Sequence, residues 1–144
     1  MSKVLIIEED PRIASALEVR FKACGYEVAT TADVIVGGTL ALQLKPDLIC
    51  LDISRPGGIG LRLAAELSHR PETKLTPIIF LGSSKDPDLQ RRTLQRGAAG
   101  LFEKPFDPEE LVQAARHALG EITIKQKAPR DEASPTTPNS FQYT

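Results

Sequence analysis

The chain has 144 residues, 41% of them apolar, and 18 basic residues against 19 acidic ones leave a formal net charge of -1. That length suits one domain with a real core and not two, and the near balance of charge gives no electrostatic footprint for nucleic acid or an anionic membrane surface. No apolar run approaches the roughly 20 residues that span a bilayer, and Met1-Ser2-Lys3 runs straight into an apolar strand and then acids, unlike a signal peptide. A cytoplasmic protein is expected, with neither nucleic acid nor membrane as a direct partner.

Val4-Leu5-Ile6-Ile7 has no polar alternation, which suits a strand buried on both faces of a parallel sheet. Asp10-Pro11 follows, an N-cap acid before a proline suited to the first helical turn. Ile13, Leu17, Phe21 and Cys24 then share one helix face, and Gly25 suits a left-handed C-terminal cap. Tyr26-Glu27-Val28-Ala29-Thr30 is more mixed and suits an edge strand. Val36, Leu40 and Leu44 line a second helix, which Gly37-Gly38 should weaken. Leu48-Ile49-Cys50-Leu51 is a second apolar run, and Leu61, Ala64 and Leu67 line a third helix. Ile78-Ile79-Phe80-Leu81 is a third apolar run. Asp86-Pro87 opens a fourth helix, lined by Leu89, Thr93 and Leu94 and closed by Gly97. Ala99-Gly100-Leu101-Phe102 makes a short fifth strand. Asp107-Pro108, with Glu110 placed for a capping box, opens a fifth helix lined by Leu111, Ala114, Ala115 and Ala118.

The alternation of strand and helix across residues 3–119 predicts a doubly wound α/β fold with a parallel sheet. The domain is expected over residues 1–120. Residues 121–144, rich in Pro, Ser, Thr and charged residues, read as a flexible tail with no core of its own. Cys24 and Cys50 lie far apart and outside any metal spacing, and read as small buried hydrophobes. His69 and His117 read as surface or capping residues at helix ends.

In open α/β sheets ligands bind beyond the carboxyl ends of the strands. Glu8, Glu9 and Asp10 follow the first strand, Asp52 the third, Gly82-Ser83-Ser84 the fourth and Lys104-Pro105 the fifth. Acids, a lone carboxylate and a lysine thus converge on one end of the sheet. A carboxylate can act as a nucleophile and become an aspartyl phosphate. Neighbouring carboxylates repel an incoming phosphoryl group, an obstacle that Mg2+ removes, since it prefers carboxylates, water and phosphate oxygens. A lysine then neutralises a phosphate oxygen, and such catalysis is mainly positioning and charge stabilisation.

These pieces resemble the receiver domains of two-component response regulators, over roughly residues 3–119. The resemblance rests on Val4 through Pro11, on Pro46 through Asp52, on Arg55-Pro56-Gly57-Gly58-Ile59-Gly60, and on Gly97-Ala98-Ala99-Gly100 through Lys104-Pro105-Phe106. It implies a (βα)5 flavodoxin-like, CheY-like architecture with five parallel strands in order 2-1-3-4-5. It implies Asp52 as phosphoacceptor, Lys104 as the phosphate-pairing lysine, and a cis Lys104-Pro105 bond. The metal, Mg2+, would be held by Glu8, Glu9, Asp52 and the backbone carbonyl of Ser54, with Glu9 as the direct member of the acidic pair. Expected partners are a histidine kinase or phosphotransfer protein and a downstream target, met through the face of the fourth helix, fifth strand and fifth helix. A monomer or weak homodimer is expected. No enzymatic role is expected beyond Mg2+-dependent self-phosphorylation and autodephosphorylation.

Three positions depart from the family pattern. Glu9 stands where Asp is usual, and its extra methylene displaces the carboxylate from the near-octahedral geometry that Mg2+ demands. Gly82 stands where a Ser or Thr hydroxyl normally meets the phosphoryl group, leaving Ser83 as a possible phosphate contact and Ser84 as a further candidate. Leu101 stands at the aromatic switch position, while Phe102, one place on, should face the other way. The expected function is a stand-alone receiver that accepts a phosphoryl group on Asp52 and conveys it differently. The alternative is a pseudo-receiver interaction module that does not switch by phosphorylation.

Overall fold

The computed structural model describes residues 2–82, 87–95 and 98–121. In chain order it contains β1 (Lys3–Ile7), α1 (Pro11–Ala23), β2 (Glu27–Thr31), α2 (Val34–Leu44), β3 (Leu48–Asp52), α3 (Ile59–Ser68), β4 (Ile78–Gly82), α4 (Pro87–Gln95), β5 (Gly100–Glu103) and α5 (Pro108–Ala118). All the strand pairings are parallel and the order is β2-β1-β3-β4-β5. The doubly wound architecture expected from the sequence is the one observed. Ser83, Ser84, Asp86, Gly97, the side chains of Leu89 and Leu94, and residues 122–144 lie outside the described residues.

The unbroken apolar runs have a simple cause. Alternate residues of one strand feed two separate cores. Val4, Ile6, Leu48, Cys50, Ile79, Leu81 and Phe102 meet Leu17 and Phe21 of α1 and Leu111, Val112 and Ala115 of α5. On the other face Leu5, Ile7, Ile49, Leu51 and Phe80 meet Val34 and Ala41 of α2 and Leu61, Ala64 and Leu67 of α3. Every residue of β3 is buried, whereas β2 at the sheet edge is only partly so. Burying one Leu or Ile fully contributes about 1.5–3 kcal/mol, so both layers hold the central strands firmly.

The aspartate caps behave as their chemistry requires. Asp10 accepts from the Arg12 amide and Asp107 from the Glu109 amide, each with a proline in the first turn. Asp33 caps α2 by accepting from Ile35 and Val36, a signal the sequence reading passed over. Gly25 has φ 93°, as a left-handed cap demands.

Two expectations need correction. Val36 does not face the core: it is 45% exposed, and Val34, Gly37 and Ala41 are the buried residues of α2. Gly37 is there for close approach. A Cβ at this position would lie 2.5 Å from Cδ1 of Ile7, so any larger residue here would push the Ile7 side chain aside. Cys24 is exposed, while Cys50 is buried; burial pushes the Cys50 thiol up to about 12, with a smaller contribution from Glu8.

At the edge of the sheet where the strands begin, the hydroxyl of Tyr26 donates to Glu121 over 2.5 Å, and the hydroxyl of Ser2 reaches the same carboxylate at 3.2 Å. Tyr26 also stacks edge-on against Phe21 at 5.5 Å. This clasp ties the chain just past α5 to the starts of β1 and β2. Among the described residues no helix is long and apolar enough to cross a membrane.

Candidate functional site

At the opposite edge β1 and β3 end side by side, and Lys104, just after β5, reaches across with its side chain. Glu8 follows the last residue of β1, and its amide continues the sheet by donating to Thr31 O at 3.0 Å. Its side chain is buried. Oε2 accepts from the Asp10 amide at 2.9 Å and from Nζ of Lys104 at 2.8 Å. Oε1 is buried with no hydrogen-bond partner among the described residues.

Asp52, the last residue of β3, is 3% exposed. Its Oδ1 accepts from the Ser54 amide at 2.8 Å and from the Ser54 hydroxyl at 2.5 Å. The same oxygen lies 3.4 Å from Nζ of Lys104. Oδ2 receives a long bond, 3.5 Å, from the Glu9 amide. The strand end is pinned from beneath by α3: a Cβ on Gly60 would stand 2.6 Å from the Asp52 carbonyl oxygen. The Lys104 amide donates to Gly82 O at 2.6 Å, and the Lys104-Pro105 bond is cis.

The charges are set by this geometry. Burial raises the Glu8 carboxyl above its ordinary range, and the bonds from Lys104 and the Asp10 amide only partly oppose it. For Asp52 burial also acts upward, but the two Ser54 bonds, the Lys104 charge and the Glu9 amide outweigh it and hold the carboxyl below its usual value. Burial acts downward on the Lys104 ammonium, yet the Glu8 bond and the Asp52 charge keep it above the ordinary lysine value. The result is a carboxylate at Asp52 that favours its charged form and faces a cation, beside a second carboxylate that is short of partners.

Of the residues singled out in sequence, the side chains of Glu8, Asp52 and Lys104 come together. Glu9 brings its amide to Asp52, but its side chain is 59% exposed and its Oε1 lies 3.8 Å from Nε of Arg55. Ser54 adjoins Asp52 through its amide and hydroxyl. Ser83 lies outside the described residues. Leu101 and Phe102 fall on opposite faces, Leu101 against the α2–α3 core and Phe102 in the α1–α5 core. The sequence reading missed the Ser54 hydroxyl, although Asp-Ile-Ser is a spacing at which such groups close local turns. It also missed Arg55, whose role depends on a side-chain direction that spacing does not give.

The donor set is all oxygen, which suits a hard divalent cation. The orphaned buried Oε1 of Glu8 is the kind of atom a metal or its water would satisfy. As the side chains stand, no group of three or more His, Cys, Asp or Glu among the described residues is gathered closely enough to hold a metal. The Glu9 carboxylate, next along the chain, is turned towards Arg55. In donor chemistry the buried oxygens of Glu8 and Asp52 suit Mg2+.

Comparison with known proteins agrees with the fold. The family model of the response regulator receiver domain matches residues 4–116. The chain is 33% identical over 119 residues to the DNA-binding dual master transcriptional regulator RpaA of Synechocystis, covering 83% of this chain and 49% of that protein. It thus spans about half the length of that curated relative. That relative is a DNA-binding regulator, which stands partly against the expectation that nucleic acid is not a direct partner. Among solved structures, the chemotaxis response regulator CheY4 of Vibrio cholerae is 28% identical with a TM-score of 0.74, covering 82% of this chain and 98% of that one. The receiver domain of the sensor histidine kinase PA1611 from Pseudomonas aeruginosa, which has magnesium coordinated in its active-site cleft, is 25% identical with a TM-score of 0.72 over 83% of this chain and 98% of that one. A CheY-like sheet whose carboxyl edge brings two buried carboxylates to one lysine, matched by the receiver model across most of its length, makes this chain a member of the response regulator receiver domain family of two-component signalling.

Proposed function

We propose that the chain accepts a phosphoryl group on Asp52 from a histidine kinase or phosphotransfer protein and passes the change to a downstream protein target. The observation that carries this reading is Lys104, whose ammonium lies 2.8 Å from Glu8 and 3.4 Å from the otherwise buried Asp52. A carboxylate oxygen of Asp52 attacks phosphorus, and the bond from phosphorus to the donor's nitrogen breaks, leaving an acyl phosphate on Asp52 and a neutral donor imidazole after protonation. Glu8, Glu9, Asp52 and the Ser54 carbonyl would hold Mg2+, which supplies charge neutralisation for the incoming phosphoryl oxygens. Lys104 exchanges its carboxylate contact for a phosphoryl oxygen. Attack by Oδ1 would require the Ser54 hydroxyl to turn aside, whereas Oδ2 carries only the long bond from the Glu9 amide. Ser83 is a further phosphate contact in this reading, and the target meets the α4-β5-α5 face. The receiver would work in the cytoplasm as a monomer or weak homodimer, with Mg2+-dependent self-phosphorylation and autodephosphorylation its sole chemistry.

The test is intact-mass spectrometry after incubation with Mg2+ and acetyl phosphate or phosphoramidate. A gain of one phosphoryl mass in the wild type and none in Asp52→Ala is expected. A folded wild type that gains nothing would support the second reading, an interaction module that does not switch. Gly82, which offers no hydroxyl beside Asp52, is the residue that favours that second reading.

A further inference from the structure

The Glu9 side chain has two places to go, and the fold gives it a competitor for the inner one. Its backbone is fixed at the site, since the Glu9 amide points at Oδ2 of Asp52. Its carboxylate is not at the site: Oε1 lies 3.8 Å from Nε of Arg55 in the loop after β3, with the two side chains 59% and 44% exposed. Aspartate in this place would be one methylene shorter and would carry its carboxylate less far towards Arg55. Meanwhile Oε1 of Glu8 is buried without a partner.

We propose that Arg55 is a gate on the divalent-cation site, holding Glu9 outward so that a metal must displace an ion pair before the site is complete. The inference rests on the reading of Glu8, Glu9 and Asp52 as Mg2+ ligands. The gate is weak by construction. Half-exposed pairs of this kind stabilise by a few tenths to about 1 kcal/mol, equivalent to roughly a two- to fivefold change in an equilibrium constant. Magnesium binding is thereby tuned, with no change to the acceptor itself. Arg55 also lies next to Pro56 and Gly57, the latter at φ 90°, so its backbone enters a turn while its side chain reaches back to β1. No other cation contacts Glu9 among the ion pairs of the described residues.

The experiment is calorimetric titration of the full chain with MgCl2, with no phosphodonor present. It compares the wild type, Arg55→Ala, Glu9→Gln and the double variant, each checked for folding by circular dichroism. Arg55→Ala should tighten Mg2+ about two- to fivefold, Glu9→Gln should weaken it, and removing Arg55 should have little effect once Glu9 is Gln. Equal affinities for wild type and Arg55→Ala overturn the gate while leaving the metal site standing. The same tightening in both backgrounds also overturns it, because it would show only the general field of a nearby cation. Absence of Mg2+ binding in all four proteins removes the metal reading and the gate together. Binding that appears only in Arg55→Ala supports the gate in its strongest form.

Discussion

Gly82 offers a decisive experiment because what glycine omits there can be restored. A Cβ at this position would meet Cγ1 of Ile53 at 3.4 Å and Cδ1 at 3.8 Å, ordinary contact distances, and its φ is not in the left-handed region. Nothing steric therefore demands glycine. Replacing a strand glycine by alanine recovers about 0.5–1 kcal/mol of backbone entropy, and the buried methyl adds up to about 0.8 kcal/mol. Gly82→Ala should stabilise the protein by about 1 kcal/mol, read as a raised urea midpoint. Gly82→Ser adds a hydroxyl at a buried position, where an unpaired group costs about 1–3 kcal/mol, so it should be less stable than the alanine variant. Its benefit appears only when a phosphoryl oxygen is there to accept. One hydrogen bond to a charged group is worth about 1.5–3 kcal/mol, and at 1.4 kcal/mol per decade that is roughly ten- to a hundredfold. Beryllofluoride, a stable stand-in for an aspartyl phosphoryl group, makes the comparison at equilibrium. With Mg2+ present, Gly82→Ser should bind it at least about tenfold more tightly than Gly82→Ala. A Gly82→Ala protein weaker than wild type would refute the packing argument. A serine variant no better than alanine for beryllofluoride would refute the claim that the missing hydroxyl is what sets this receiver apart.

Gly60 should behave in the opposite way: Gly60→Ala drives a methyl into the Asp52 carbonyl, 2.6 Å away and unable to yield, and urea unfolding should show a loss of about 1–3 kcal/mol; an unchanged midpoint would mean α3 does not brace the acceptor. Lys104→Met leaves the buried Glu8 and Asp52 carboxylates facing each other without a cation and should cost about 3 kcal/mol near pH 7, much of it regained in the Lys104/Glu8 double variant carrying Glu8→Gln; no recovery would show that Glu8 is not the stranded charge. Tyr26 is an acid whose pKa is raised in the fold, by burial first and the Glu121 bond second. Its contribution is thus complete below its ordinary pKa of about 10 and fades as pH rises through the folded value. Tyr26→Phe should therefore be less stable than wild type at pH 7, with the gap closing above about pH 10 in pH-stepped urea midpoints; a gap independent of pH would sink the assignment.

What could be read in the sequence, and what could not, divides along a physical line. Strand identity came from composition: Leu48-Ile49-Cys50-Leu51 has no polar residue because both its faces are covered, and Asp10-Pro11 and Asp107-Pro108 are local capping chemistry that needs no tertiary context. The strand-end residues Glu8, Asp52 and Lys104 were found because a parallel sheet forces them to one edge. The phase of α2 was misread because Val36 looks as apolar as Val34, and only the close seat on Ile7 selects which face turns inward. Cys24 was placed inside by its type, although the helix ends beside it in solvent. The outward turn of Glu9 was illegible for a related reason: a long side chain chooses between partners by their three-dimensional position, and Arg55 enters that choice only once the loop after β3 is folded.

The Tyr26–Glu121–Ser2 clasp carries a consequence for how any message travels. It anchors the chain's departure from α5 at the rim where the strands start, whereas Asp52 sits at the rim where they finish. With strands of five residues rising about 3.3 Å each, roughly 15 Å of tightly packed protein separates the two. A chemical event at Asp52 reaches the Glu121 clasp through that intervening body, so a change felt at the clasp would report a shift of the packed sheet and helices rather than a local contact.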